Sequence, residues 1–344
     1  MKDRLERVQK ELSVEALLID RPIDLYYLTG MDLSKGRLLI SKKEAILFVD
    51  GRYFEAAQKR SLCRVALDAK GALVAAVQPY RNVGIDSAAL SLFAYESLQK
   101  EIPGKQWHLL PDPLRDLRLI KSDREIALLK KAADLTWKGY RHARSLLKEG
   151  VSEEAIAWEF ERFCRENGAS GMSFTPIVAF GENSAYPHHR AGPTRLKKDQ
   201  IVLIDVGAVV DHYAGDLTRM VFLGNVDPKL RKMYEQVQQA QREAVAAVRC
   251  GMQIGALDRL VRERFKQEGV DALFVHNLGH GIGLETHEYP RIRFDGTDAS
   301  CLIRPGMVFT IEPGLYQSGL GGIRYEDMIL VTDSGAINFY HDEF

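Results

Sequence analysis

Five side chains of metal-binding type stand in order along the second half of the chain, each beside an apolar run. They are Asp205 in "VLIDVG", Asp216 in "AGDLTR", His280 in "LGHGIG", Glu312 in "FTIEPG" and Glu326 in "IRYEDM". A carboxylate inside an apolar strand must be ion-paired, protonated or bound to a cation, because an isolated charge is costly to bury. Four clustered carboxylates would repel one another, and two divalent cations would cancel their charge. Oxygen-rich ligation with one imidazole suits a hard or borderline ion such as Mn²⁺ or Co²⁺ better than a thiolate zinc site. Two such ions about 3.5–4 Å apart hold a bridging hydroxide at neutral pH. Each residue has a plainer reading when taken singly. An Asp at a strand end is a turn former or helix cap, and a Glu before Pro-Gly is a solvated loop charge. The ordered set is what points to metal chemistry.

Histidines cluster in the same region. The stretch "HNLGHGIGLETHE" holds His276, His280 and His287 among Gly279, Gly281 and Gly283, and "AYPHHRAG" holds His188 and His189. His276 and His280 are spaced to share a helix face, but each glycine would cost a helix about 1 kcal/mol relative to Ala. The glycines favour a strand running into a loop, where backbone comes close to a ligand or a neighbouring strand. Asp205 and Asp216 are separated by an odd number of positions, so one straight strand cannot aim both to one face. A hairpin or bend through "VVDHYAGD" can. Nucleophilic Ser or Cys chemistry has no support, since there is no G-x-S-x-G and no evident Cys/His pair.

The elements that must position these groups are legible in outline. At 344 residues the chain is long enough for two domains. Leu5, Val8 and Leu12 form a helical stripe, and "EALLID", "GRLLIS" and "EAILFVD" read as strands of a small α/β unit. Ser122 and Glu125 form a capping box, and Ile126, Leu129, Ala133, Trp137 and Tyr140 follow on one helical face. The domain boundary is expected just before this helix, giving domains 1–118 and 119–344. Gly150–Gly168 and Gly251–Gly269 are matched segments, each preceded by a helical stretch (122–148 and 228–249) and followed by strand-like sequence. They suggest two copies of a helix–helix–strand module about a pseudo-twofold axis. A site between two halves is where ligands often bind.

Composition excludes several classes. The 47 basic and 47 acidic residues balance, which argues against a nucleic-acid partner. No run reaches the length of a membrane span, and "MKDRLERVQKELS" lacks the apolar core of a signal peptide, so a soluble cytoplasmic protein is expected. Four dispersed cysteines read as reduced, mostly buried thiols.

The motifs "DVGAVVDHYAGDLTR", "GHGIGLETHE", "TIEPGLY" and "GGIRYED" resemble the ordered metal motifs of the pita-bread metallopeptidases. Within that group they are most similar to the Xaa-Pro peptidases, prolidase and aminopeptidase P. "DRPIDLYYLTG" and "VDGRYFEAA" resemble the creatinase-type N-terminal domain that precedes the catalytic domain there. The resemblance implies an α+β protein: a creatinase-like domain, then a duplicated pita-bread domain. It implies two divalent ions, Mn²⁺ first with Co²⁺ or Zn²⁺ as alternatives, held by Asp205, Asp216, His280, Glu312 and Glu326. Asp216 and Glu326 would bridge. A bridging hydroxide would attack the X–Pro carbonyl, with Glu312 as general base and then acid. His287 would contact the scissile peptide and the developing oxyanion. His188 would touch substrate near the leaving proline, and His276 and Arg324 would orient substrate or ligands. A homodimer is implied as well.

Subtype remains open between two enzymes. A prolidase must read the free carboxylate of its dipeptide, and Arg291 in "HEYPRIRF" resembles an arginine of archaeal-type prolidases that suits this role. Aminopeptidase P must leave that side open for longer peptides. The dipeptidase is slightly favoured. Methionine aminopeptidase shares the metal set but usually lacks the N-terminal domain and the "RYED" ending. Non-catalytic relatives that serve as binding scaffolds should lack ligands, and here all five are present.

Overall fold

The computed structural model describes residues 2–340, so the extreme ends of both expected domains lie outside the described residues. The chain divides into two compact units, the first ending at Leu117 and the second beginning at Arg118.

The first unit is built on a six-stranded mixed sheet. Its order is Arg64–Leu67, Ala45–Val49, Arg37–Ser41, Ala16–Ile19, Asn82–Asp86, Gln106–Leu110. The three runs read as strands in the sequence form its centre and pair antiparallel. The outer strands join in parallel. Ala16–Ile19 and Ala45–Val49 are buried along their whole length, which accounts for continuous apolar runs in place of alternation. Leu5 and Val8 are buried on helix Lys2–Glu11, while Leu12 falls just past its end.

The second unit opens with helix Asp123–Ser145. Glu125 accepts the backbone N–H of Ser122 at 2.9 Å, closing the expected capping box. Leu129, Ala133 and Tyr140 are buried on its inner face. It packs on helix Glu153–Glu166, and the arrangement recurs as Pro228–Ala247 on Gly255–Gln267. The matched glycines Gly150 and Gly251 enter the second helix of each pair with φ of 86° and 84°. A side chain rarely adopts this conformation, which explains glycine at both places.

The strands of this unit lie between two apolar cores. In Ile201–Val206, Ile201 and Leu203 join the core under the second helix pair, while Val202, Ile204 and Val206 join the core under the first. Val308 and Phe309 divide in the same way. Both faces are covered, so these strands are apolar throughout. Carboxylates within such strands therefore stand out physically as well as in sequence. The four cysteines are free, but only Cys164 is buried and Cys250 is exposed, so the expectation of mostly buried thiols is too broad.

Candidate metal centre

Asp205 and Asp216 are brought together by a hairpin. Strands Ile201–Val206 and Leu217–Phe222 pair antiparallel, with Asp205 opposite Thr218. Between them Ala208–Val210 pairs with Tyr213–Ala214, and Asp211 and His212 make the turn with φ of 47° and 71°. Positive φ at both central residues matches the twist of the flanking strands. The reversal turns the odd sequence separation into proximity.

His280 lies on the short strand Gly279–Gly281, paired with Glu288–Ile292 and with Val308–Ile311. Gly279 permits this approach, since a Cβ there would lie 2.1 Å from the carbonyl oxygen of Thr310. Glu312 follows Val308–Ile311 directly, and Glu326 directly precedes Asp327–Thr332, with Ile311 opposite Asp327. A bridge between Thr218 and Glu326 joins the hairpin to this second sheet. The acidic groups thus gather at the seam between the two halves of the unit.

Buried Asp216, His280 and Glu326 offer ligand atoms that all lie within 4.8 Å of one another. His280 Nε2 stands 3.6 Å from Asp216 Oδ2 and 3.4 Å from Glu312 Oε1. Its Nδ1 faces the Gly281 carbonyl at 3.1 Å. We assign the proton to Nδ1, which donates there and leaves the Nε2 lone pair toward the carboxylates. The Thr218 hydroxyl donates to Glu326 Oε2 at 2.6 Å and accepts from Arg324 Nε at 3.2 Å. Arg324 also donates to Asp205 Oδ2 and to the Tyr316 hydroxyl. Asp205 Oδ1 is buried without a hydrogen-bond partner.

Burial pushes the Asp216 carboxyl well above its ordinary range, and repulsion from Asp205 and Glu312 adds to this. Glu326 is raised in the same way, by burial and then by Asp216, Glu312 and Asp205. Burial, with Asp205, pushes Glu312 up to about 8, against the pull of Arg324. His280 is held down to about 3 by burial and by His287. Arg324 brings one positive charge against four carboxylates. The donor set, the unpartnered Asp205 oxygen and the uncompensated charge all fit divalent cations bound through oxygen and one imidazole.

Around this cluster sit the other residues picked out in the sequence. The Tyr316 hydroxyl, which accepts from Arg324, stands 2.9 Å from His276 Nε2 and donates to it. Burial, then Arg324, holds His276 down to about 3, so it stays neutral. His287 is exposed, with its ring centroid 4.3 Å from that of His280. Partial desolvation of the ring, then His188, lowers its pKa. His188 is exposed on the loop after Phe180. Arg291 pairs across the strands with His280, its side chain is exposed, and its guanidinium makes no hydrogen bond among the described residues.

Sequence reading missed Thr218, Tyr316, Arg219 and Tyr340. Thr218 stands two positions from Asp216 and Tyr316 four from Glu312, both even separations, so strand period could have flagged both. Arg219 donates to the Glu326 carbonyl at 2.7 Å, and the Tyr340 hydroxyl donates to the Asp216 carbonyl at 2.7 Å. These long-range braces carry no local signal.

Family models cover both units. The Metallopeptidase family M24 model matches residues 127–333, and the Creatinase/Prolidase N-terminal domain model matches residues 2–120. The chain belongs to metallopeptidase family M24. A relative named Xaa-Pro dipeptidase, from Pyrococcus furiosus, is 36% identical over 98% of this chain and 97% of its own length. The crystal structure of the prolidase from Pyrococcus horikoshii OT3 matches with a TM-score of 0.93 at 34% identity, covering 99% of this chain and 98% of that one. The X-Pro aminopeptidase structure from Thermotoga maritima MSB8 matches with a TM-score of 0.90 at 27% identity, covering 98% of both chains. The resemblance read from the motifs is borne out at the level of family and fold.

Two outcomes are expected. Replacing Gly279 with Ala drives a methyl into the Thr310 carbonyl. It should cost about 1–3 kcal/mol in denaturant unfolding and weaken metal binding measured by calorimetry, because His280 moves with its strand. The second concerns pH. A glutamate ordinarily titrates at 4.5, and Glu312 is raised to about 8, so the fold favours its neutral form. That contribution to stability is complete below 4.5 and is lost as pH rises through about 8. Chelator-treated protein should therefore melt at falling temperature over this range, with a shallower slope in Glu312→Gln. Added Mn²⁺ should restore the midpoint most at the alkaline end, where the ligands are deprotonated. A chelated protein whose melting is the same in both variants at every pH would contradict this.

Proposed function

We propose that this chain is a Xaa-Pro dipeptidase, hydrolysing the bond between an N-terminal residue and a proline that carries a free carboxylate. One observation carries the choice of dipeptide: the uncommitted guanidinium of Arg291, opposite His280 on the paired strand. The Pyrococcus furiosus relative, named Xaa-Pro dipeptidase, supports it. Asp205, Asp216, His280, Glu312 and Glu326 would hold two divalent ions, Mn²⁺ first with Co²⁺ or Zn²⁺ as alternatives, and Asp216 and Glu326 would be shared between them. When bound, such ions polarise a carbonyl and lower the pKa of a water.

The chain's own groups do the rest. Glu312 takes the proton of the attacking water on its carboxylate and delivers it to the proline nitrogen. That nitrogen has no N–H of its own, so the extended-chain hydrogen bonds used for other peptides are missing and a dedicated pocket is needed. His287, at the exposed edge beside His280, donates to the carbonyl oxygen as negative charge develops there. His188 meets the proline side of the substrate. His276, neutral and fixed by Tyr316, lines the pocket, and Arg324 orients Asp205. Arg291 holds the proline carboxylate, where a guanidinium can bind both oxygens. The catalytic unit on this reading runs from residue 119 and the creatinase-like domain to residue 118. The four free cysteines support a reducing, cytoplasmic setting. The homodimer rests on the family resemblance.

A second reading, an Xaa-Pro aminopeptidase, is favoured by the match to the Thermotoga maritima X-Pro aminopeptidase fold and by the exposure of Arg291 at an open edge. The two separate in one assay of the Mn²⁺-reconstituted protein with Ala-Pro and Ala-Pro-Ala, each with and without EDTA. Metal-dependent cleavage of Ala-Pro alone is expected. Cleavage of the longer peptide would turn the assignment to aminopeptidase. Cleavage of neither would remove the Xaa-Pro reading and move the weight to another substrate or to a binding role. Arg291→Ala is expected to raise KM for Ala-Pro by about 10- to 100-fold, the worth of hydrogen bonds to a charged group, with kcat and metal content little changed.

A further inference from the structure

The paired histidines of "YPHH" divide between two surroundings. His188 is exposed, whereas His189 turns inward and brings Nε2 to 2.8 Å from Glu153 Oε2. Glu153 opens helix Glu153–Glu166 and is 0% exposed. Its carboxylate gathers donors from across the loop that follows Phe180. Oε1 accepts from the Phe180 backbone N–H at 2.8 Å and from Asn183 Nδ2 at 2.8 Å. Oε2 accepts from His189 and from the Gly192 backbone N–H at 3.2 Å. Two backbone bonds close the base, from Glu153 to the Thr194 carbonyl and from Glu154 to the Gly192 carbonyl, both 3.1 Å.

A buried carboxylate left short of partners is costly, and this one is satisfied only when the start, middle and end of the loop converge on it. That condition selects one loop conformation. Between the anchors the chain presents Tyr186 and His188 outward, and the Pro187 carbonyl accepts from Arg324 Nη1 at 3.4 Å. The loop is thus pinned from beneath by Glu153 and touches, on its other side, the arginine that holds Asp205.

We infer that Glu153 is a positioning residue for His188: through His189 and the two ends of the loop it fixes where His188 meets substrate. This rests on the Xaa-Pro reading of His188. A role confined to stability would leave substrate binding by His188 untouched.

The test is a double-mutant cycle in the Mn²⁺-reconstituted full chain, combining Glu153→Gln with His188→Ala and reading KM and kcat for an Xaa-Pro peptide that the parent cleaves. Glu153→Gln keeps the shape but replaces an acceptor oxygen with a donor. It is expected to lower kcat/KM about 10- to 100-fold through a small misplacement of His188, chiefly in KM, with metal content at the parent level. In the His188→Ala background the same change should cost almost nothing further. Losses that multiply independently would overturn the inference, as would a His188→Ala variant with the parent's KM. If the parent cleaves no Xaa-Pro peptide, the functional reading fails first and the inference falls with it. Should Glu153→Gln not accumulate folded, His189→Leu takes its place in the cycle. His189→Gln, which can still donate an N–H to Glu153, should recover most of the parent's KM, and failure to recover would count against the positioning role.

Discussion

Four carboxylates packed into one buried seam cannot all be charged without positive charge beside them. Asp205 lies in one strand and Asp216, Glu312 and Glu326 each border another, and burial together with mutual repulsion raises the last three. Arg324 supplies one positive charge and commits it to Asp205. His280, held neutral, supplies a lone pair instead of a charge. The rest of the catalytic unit reads as the means of holding this cluster together against its own repulsion. Two helix pairs cover the central strands, with an apolar core on either side of the carboxylates.

Rigidity at the seam comes from hydrogen bonds that reach far along the chain. Arg219 is buried against Tyr325 and Trp137, donates to the Glu326 carbonyl and pairs with Asp327 at 2.6 Å. Asp327 also accepts from Gln241 and Asn338, so its charge is fully engaged. Tyr340 closes the other side at the Asp216 backbone. Breaking such a network on one side would leave a buried charge uncompensated, which costs more than the pair contributes.

The histidines around the cluster are flanked by a different device, a charged side chain engaged in several hydrogen bonds. Next to His287 in the chain is Glu288, which accepts from Arg118 at 2.6 Å and Lys121 at 3.1 Å and from the backbone of Leu284 and Glu285. Burial alone would raise its carboxyl, but Lys121 and Arg118 outweigh this and bring it down to about 2. His276 has its carbonyl held by Arg262 at 2.6 Å, whose guanidinium lies 4.5 Å from the Phe274 ring centre. In the His188 loop Glu153 has the corresponding place. Each of these charged groups belongs to a helix or strand of the second unit, which ties the neighbouring histidine segments to the scaffold.

The sequence by itself determined the ordered set Asp205, Asp216, His280, Glu312 and Glu326, because carboxylates in apolar strands need compensation and that need is visible locally. It determined the three central strands of the first unit's six-stranded sheet, the capped helix at Ser122 and the duplication, since strand period, cap chemistry and flanking glycines are properties of short segments. It also required a reversal between Asp205 and Asp216. What only the tertiary structure decided is which residues stand behind this set. Tyr340 and Asp216 are separated by 124 positions, and Glu153 and His189 by 36. Nothing in the local pattern of a tyrosine near the end of the chain, or of a glutamate in the first turn of a helix, says where its oxygen will point. The outward His188 and the inward His189 are adjacent and chemically identical in sequence. The fold separates them, because only one can satisfy a carboxylate that the packing of Glu153–Glu166 has already buried.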